Sequence, residues 1–60
     1  MNITKGEVFR NTSDGVDFVV KKIMKDMVIL ESKDGNRQIL TGVSTLALAA
    51  FYQKKGEEES

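Results

Sequence analysis

Two polar stretches divide the chain into strand-like segments. Turn-forming residues occupy positions 11–15, and an Asp34-Gly35 pair stands between two apolar runs. Both compositions are typical of turns that join antiparallel strands. The run between them, residues 16–31, is rich in β-branched residues but exceeds the usual strand length of about 5–6 residues. Its only polar break is Lys25-Asp26, so we predict a two-residue turn there.

This turn would fix the register of the two strands that it joins. The expected cross-strand pairs are Met24 with Met27 and Ile23 with Val28. Strict alternation would then place Lys21 on the face of Ile23, opposite Leu30, and would bury a charge. One extra residue at this point, a β-bulge, instead pairs Val20 with Leu30 and leaves Lys21 and Lys22 outside. We therefore predict a bulge at Lys21-Lys22.

The same register gives the sheet an apolar face on each side, and the Asp-Gly hairpin extends both. The predicted core face carries Phe18, Val20, Ile23, Val28, Leu30 and Ile39. The other face carries Val19, Met24, Met27, Ile29 and Leu40. An antiparallel sheet normally exposes one polar face to water, so a second apolar face requires a cover.

The C-terminal segment is the expected cover. A Ser44-Thr45 pair can cap a helix, residues 46–53 are mostly good helix formers, Lys54-Lys55 suit the negative end of the helix dipole, and Gly56 is a stop. We predict a helix over about residues 44–55, apolar nearly all round. Packing within one chain and pairing of two copies both remain open as the way the second face is covered.

Length and composition bound the possibilities further. Sixty residues allow one domain, which we place at residues 1–55, followed by a disordered acidic tail at 56–60. Nine Lys and Arg balance nine Asp and Glu, but residues 57–59 supply three of the acids, so residues 1–55 carry nine positive and six negative charges. A chain without disulfides or metal must rely on tight packing, a partner or self-association.

The residue types argue against catalysis and against a bound cofactor or metal. There is no His and no Cys, which excludes imidazole bases, thiol nucleophiles and zinc fingers. Asp34-Gly35-Asn36 lacks the spacing of a calcium loop, and each Gly stands alone, so there is no phosphate-binding loop. We expect a protein that is not an enzyme. Lacking a signal-peptide pattern and a membrane-spanning apolar stretch, it is expected to be cytoplasmic.

Two groups of residues are candidates for binding. The candidate protein interface, for a partner or a second copy, is Met24, Met27, Ile29, Leu48 and Tyr52. The candidate nucleic-acid contacts are Lys21, Lys22, Lys25 and Arg37. Lysines on exposed strands also prevent edge-to-edge aggregation, so the basic group has a structural explanation as well.

The order of these features resembles that of small bacterial SH3-like β-barrel proteins over about residues 5–52. The matching segments are the bent strand Val-Val-Lys-Lys-Ile, the tight turn, the strand Met-Val-Ile-Leu-Glu-Ser, the Asp-Gly turn and the strand Arg-Gln-Ile-Leu-Thr. The resemblance implies a mainly β fold, a small SH3-like antiparallel barrel of four to five strands with a short C-terminal helix. It also implies a role in binding peptides, proteins or nucleic acids. The chain has neither Trp nor Pro, and it lacks the acidic and aromatic signature of polyproline-binding SH3 domains.

Length and element order are similar, more weakly, to the carbon-storage regulator family of RNA-binding proteins. The segment matching that family's RNA-contacting helix start is Gly42-Val43-Ser44-Thr45, which is uncharged.

The leading prediction is a non-enzymatic interaction module that binds a protein partner or self-associates through the apolar sheet face and the terminal helix. Nucleic-acid binding through the basic group is the alternative.

Overall fold

A computed structural model describes residues 3–57, which form five antiparallel strands in one open sheet. The elements along the chain are β1 (Glu7–Asn11), β2 (Asp17–Met24), β3 (Met27–Ser32), β4 (Gln38–Gly42), the helix α1 (Val43–Leu46) and β5 (Tyr52–Glu57). The strand order is β4-β3-β2-β1-β5. The mainly β class is confirmed, but the sheet does not close into a barrel, so β4 and β5 each have one neighbouring strand.

The β2–β3 hairpin has the predicted turn and the predicted bulge. Met24 pairs with Met27 across the turn, and the register shifts between Val20 and Lys22, so that Val20 pairs with Leu30. Both lysines at the bulge are exposed, and the buried part of β2 is residues 18–20, which precede them. In the turn, Lys25 has a φ of 48°, the left-handed conformation that a two-residue hairpin turn requires and that Gly or Asn adopts more readily.

The β3–β4 hairpin is also confirmed, with Leu30 paired to Ile39 and Ile29 paired to Leu40. Its loop is held by the carboxylate of Asp34. Asp34 Oδ1 accepts hydrogen bonds from Ser32 Oγ at 2.6 Å and from the backbone N of Asn36 at 2.9 Å. These bonds lower the pKa of Asp34, the Ser32 bond contributing most.

The predicted helix over residues 44–55 is wrong. Helix α1 spans four residues, and β5 occupies residues 52–57, where the chain pairs with β1. Helix propensity is a weak preference that tertiary packing overrides. In β5, Tyr52 enters the core and the backbone pairs with the second edge of β1, which no other strand covers.

Because β5 replaces the predicted helix, the C-terminal boundary of the domain also differs from the prediction. Strand β5 runs to Glu57, two residues past the predicted domain end at 55. The predicted disordered tail at 56–60 therefore begins within a strand, and its residues beyond 57 lie outside the described part of the chain. Neither Ser44 nor Thr45 caps the helix, because Gly42 is the N-cap residue and no side chain bonds there.

The core lies on one face of the sheet. Its buried members are Phe9, Phe18, Val20, Val28, Leu30, Leu46 and Tyr52. Leu46 of α1 and Tyr52 of β5 cover the strand residues, so the short helix serves the core face rather than the opposite one. Ile39 is partly buried against this cluster, as expected. Ile23 differs from the prediction, since it is 40% exposed at the end of β2 next to the turn.

The described residues contain no helix with the length and apolar character that crossing a membrane requires.

Candidate functional site

An apolar surface lies on the face of the sheet opposite the core, and we call it the outer-face patch: Met24, Met27, Ile29 and Leu40. Met24 pairs with Met27, and Ile29 pairs with Leu40. Met27 and Ile29 are two residues apart on β3 and share a face. The four side chains therefore form one contiguous surface across three strands.

Exposure varies across the outer-face patch. Leu40 is 61% exposed, and the other three are partly buried. Val19, which the sequence placed on the same face, is buried and pairs with Val8 and Glu31. At that end Gln38 Nε2 donates a 2.9 Å hydrogen bond to Glu31 Oε2. The patch is thus bounded on one side by a polar pair.

Lysines bound the other side of the patch. Lys22 pairs with Ile29 across the ladder and is exposed. Lys21 at the bulge and Lys25 in the turn are exposed as well. Lys5 comes near this end, because the backbone N of the next residue, Gly6, donates to Val20 O at 2.9 Å. The fold therefore gathers these lysines at one end of the sheet, beside the patch.

Arg37 does not belong to this lysine group. It precedes β4 at the opposite end of the β3–β4 hairpin, where its Nη2 lies 3.0 Å from Asp14 Oδ2. Its guanidinium also lies over the ring of Phe18, with Cζ 5.3 Å from the centroid. The pKa of Asp14 is lowered by a hydrogen bond from the backbone of Val16 and, next, by Arg37. Arg37 thus closes the end of the core and joins two loops.

The remaining candidate interface residues lie elsewhere. Tyr52 belongs to the core and is 8% exposed, so its ring is not available to a partner. Leu48 is exposed, but it lies in the segment between α1 and β5, whereas the outer-face patch lies on β2, β3 and β4. The structure therefore brings together Met24, Met27 and Ile29 from the predicted set and adds Leu40 to them.

Two open grooves adjoin the segment around α1. One, of about 210 Å³, is lined by Asn11, Thr12, Ser13, Thr45, Phe51 and Tyr52. The other, of about 550 Å³, reaches the outer-face patch at Met27 and is lined by Lys25, Asp26, Met27, Gly42, Val43, Ser44 and Ala47. Sequence reasoning missed both, because it placed part of their lining in a long helix.

Hydrogen bonds of Thr12 hold together the two segments that line the first groove. Its backbone N donates to Phe51 O at 2.9 Å, and its Oγ1 donates to Ala50 O at 2.6 Å. The loop between β1 and β2 is therefore tied to the chain just before β5. No sequence signal connects residues that lie this far apart along the chain.

Most acids in the described residues serve the structure. Arg10 Nε donates to Asp17 Oδ1 at 2.8 Å, and this bond is the main reason that the pKa of Asp17 is lowered. Glu7 is buried and ion-paired with Lys54 at 2.7 Å. Among residues 3–57, no group of three or more acidic, His or Cys side chains is arranged to hold a metal ion.

Comparisons with models of protein families, with curated proteins and with solved structures gave no match to this chain.

Proposed function

We propose that this protein is a non-enzymatic interaction module that binds a protein partner, or a second copy of itself, through the outer-face patch. The observation that carries the proposal is a contiguous apolar surface on a paired β-sheet, with Leu40 61% exposed on its edge strand. Contiguous exposed apolar patches on small soluble domains mark interaction sites more often than scattered apolar residues do.

The composition of the patch suits this role. Met24 and Met27 have flexible, polarisable side chains that adapt to the shape of a partner. The ladder pairs of Ile29 and Leu40 hold the rest of the patch on a rigid scaffold, which lowers the entropy lost on binding. The adjacent lysines favour a partner with acidic residues at the rim of the contact. Non-enzymatic function is supported by the use of acids such as Glu7 and Asp17 in structural ion pairs.

We further propose that the sheet is a variant of the SH3-like barrel. Its support is the position of the bulge in β2, the tight turn that follows, and the short helix between β4 and β5. A bulge bends the strand that contains it and increases its twist, which a barrel of this size requires. An experimental structure tests the point through the separation of β4 and β5: a closed barrel brings these two strands into contact.

An amide-resolved NMR titration tests the interaction surface. A dilution series first separates self-association from partner binding, and fractionated cell extract is then added. We expect the extract to shift the amides of the outer-face patch, and we expect Ile29→Lys to abolish these extract-induced shifts. The matched control Asn36→Lys adds the same charge in an exposed loop and should leave the shifts intact. Shifts confined to other residues, or equal loss in both variants, would contradict the proposal.

Nucleic-acid binding is the second candidate, and one observation favours it: Lys21, Lys22 and Lys25 are exposed at the same end of the sheet. The test is binding of a mixed oligonucleotide pool at increasing salt, because each phosphate contact adds about 0.7–0.9 to the logarithmic salt slope. Replacing Lys22 by Gln should lower the slope, whereas Lys33→Gln, at the other end of β3, should not. No binding at low salt would exclude this candidate.

A further inference from the structure

The two edges of the sheet differ in their protection against pairing with another strand. Strand β4 has the sequence Gln-Ile-Leu-Thr-Gly, without charge or proline, and it pairs with β3 without a register shift. Strand β5 contains Lys54 and Lys55, and its pairing with β1 shifts register. Charges, prolines and bulges are the features that keep natural sheet edges from pairing. Strand β5 therefore has a protected edge, and β4 does not.

The hydrogen bonds of β4 show which backbone groups face outward. The ladder with β3 is flanked by bonds from Ser32 N to Arg37 O at 2.9 Å and from Val43 N to Asp26 O at 2.8 Å. Hydrogen-bonded pairs alternate along an antiparallel ladder. Ile39 and Thr41 therefore bond to β3. The backbone groups that point away from the sheet are those of Gln38, Leu40 and Gly42.

The outward N–H groups of these three residues and the carbonyls of Gln38 and Leu40 have no other backbone partner among the described residues, whereas the carbonyl of Gly42, the N-cap of α1, accepts the first hydrogen bond of the helix. None of the backbone hydrogen bonds that residues 3–57 make outside their helix and ladders involves the main chain of Gln38, Leu40 or Gly42. The Leu40 side chain beside them is the most exposed of the large apolar side chains in the described part of the chain. Strand β4 thus offers a row of three residues able to pair, next to an apolar side chain.

We propose that two copies of this chain pair through their β4 strands, antiparallel, about a two-fold axis at Leu40. Leu40 then lies opposite Leu40 of the second copy, and Gln38 lies opposite Gly42. The Leu40 pair and the two Gln38–Gly42 pairs each exchange two bonds between the copies, the Gly42 carbonyl using the lone pair that its helix bond leaves free. The result is a continuous ten-stranded sheet, five strands from each copy. This inference goes beyond the proposed function, because it places a second copy at the edge of the sheet beside the outer-face patch rather than on the face of the patch.

The charges on the surface are compatible with a second copy at this edge. A two-fold contact must be self-complementary, and β4 is neutral along its length. Lys22 lies on β2, so the Lys22 residues of the two copies are five strand spacings apart, about 24 Å. This exceeds the Debye length of about 8 Å at physiological salt, so they do not repel. The two outer-face patches meet at the axis and become one apolar surface.

Sedimentation velocity and hydrogen exchange over a concentration series test the proposal. We expect a monomer–dimer equilibrium in which the amides of Gln38, Leu40 and Gly42 gain protection as dimer forms. The amides of Ile39 and Thr41, which already bond to β3, should not change. A protein that stays monomeric at millimolar concentration would overturn the proposal, and so would a dimer without added protection at these three amides.

Matched variants separate edge pairing from association through the face. Gln38→Pro removes an outward N–H at the first position of an edge strand, where proline is tolerated; Gln38→Thr keeps that N–H. We expect Gln38→Pro to weaken dimerisation about tenfold or more and Gln38→Thr to leave it nearly unchanged. Should Gln38→Pro fail to fold, Leu40→Lys tests the same edge by placing two ammonium groups at the axis.

The variant Ile29→Lys distinguishes association through the β4 edge from association through the outer-face patch. Edge pairing should survive Ile29→Lys, because Ile29 lies one strand behind the edge. If Ile29→Lys abolishes dimerisation and Gln38→Pro does not, the copies associate through the outer face. That result overturns the edge pairing and keeps the interaction module. If the added protection forms only with a foreign peptide, the second copy is the wrong partner.

Discussion

Lys54 Nζ lies 2.7 Å from Glu7 Oε2 and joins β5 to the beginning of β1. Glu7 is 2% exposed, and its other carboxylate oxygen, Oε1, accepts a hydrogen bond from the backbone N of Thr4. The ammonium group of Lys54 reaches the carboxylate from a half-exposed position. A buried carboxylate is thus balanced by a residue of the last strand, and two distant parts of the sequence depend on each other.

Acid should destabilise the protein partly through Glu7. Burial raises the pKa of Glu7, but the bonds with Lys54 and Thr4 and the charge of Lys54 together lower it below the ordinary value. A lowered pKa in the folded state means that the stabilisation is present above the ordinary glutamate pKa and is lost as pH falls through the lowered one. Urea unfolding at several acidic pH values should show a shallower loss for Glu7→Gln than for the wild type. If the free energy of unfolding fell equally steeply with pH in the variant and the wild type, Glu7 would not contribute to the acid sensitivity.

Removing Lys54, the partner of Glu7, should lower the free energy of unfolding more than removing the neighbouring Lys55 does. Lys54→Met leaves the buried carboxylate without its ion pair, and we expect a loss of about 1–2 kcal/mol in the free energy of unfolding. Lys55→Met is the matched control, because Lys55 is exposed and lies at the register shift of β5. Urea unfolding at neutral pH measures both. Equal losses would mean that the Glu7–Lys54 pair does not stabilise β5.

The hairpins could be predicted because their constraints are local. The cost of burying Lys21 and the short turn at Lys25-Asp26 together determine the bulge, and the structure has it at the predicted place. The same reasoning misplaced Ile23, because alternation gives the face of a side chain but not how far the core extends along the strand. Burial at the end of β2 depends on what covers it.

The C-terminal strand could not be predicted from local sequence. The leucines and alanines around Leu46 favour a helix, and lysines at 54–55 suit either a helix end or a protected edge. Only the presence of β1 as a neighbour favours a strand there, and that is a contact between distant residues. The candidate interface was predictable to the same extent. The hairpin register places Met27 and Ile29 on the outer face, whereas the burial of Tyr52 depends on the pairing of β5, which the local sequence does not indicate.

Val28 and Ile23 are cross-strand partners with unequal burial, so truncating them should have unequal effects. Val28→Ala removes two methyl groups from a fully buried position and should cost about 2–3 kcal/mol. Ile23→Ala removes more carbon but from a side chain that is 40% exposed, and should cost about 1 kcal/mol. Chemical unfolding of both variants checks the order. A larger loss for Ile23→Ala would place the core boundary elsewhere.

Leu48 and Tyr52 should respond differently to a charge. Tyr52→Glu places a carboxylate in the core, and we expect loss of the folded state. Leu48→Glu changes an exposed side chain and should shift stability by less than about 0.5 kcal/mol. Circular dichroism with thermal unfolding distinguishes the two. A folded Tyr52→Glu variant would contradict the assignment of residues 52–57 to β5.

Lys25 is a position where a substitution should stabilise the protein. Its φ of 48° is costly for lysine and easier for asparagine, so Lys25→Asn should raise the free energy of unfolding by about 0.5–1 kcal/mol. Lys22→Asn makes the same replacement in an exposed strand position and should destabilise slightly, because asparagine is a poor strand former. A gain in both variants would indicate a general charge effect rather than the turn.

The position of β1 between β2 and β5 has a consequence for synthesis of the chain. Of the five strands, β1 is made first and gains its second neighbour only when residues 52–57 have been made, and the core lacks Tyr52 until then. The two hairpins of β2, β3 and β4 have short loops and can form early. Until translation reaches β5, however, one side of β1 stays open and its buried Glu7 has no counter-charge. The nascent chain can therefore assemble these hairpins before β5 is made, but it completes its sheet only when β5 pairs with β1.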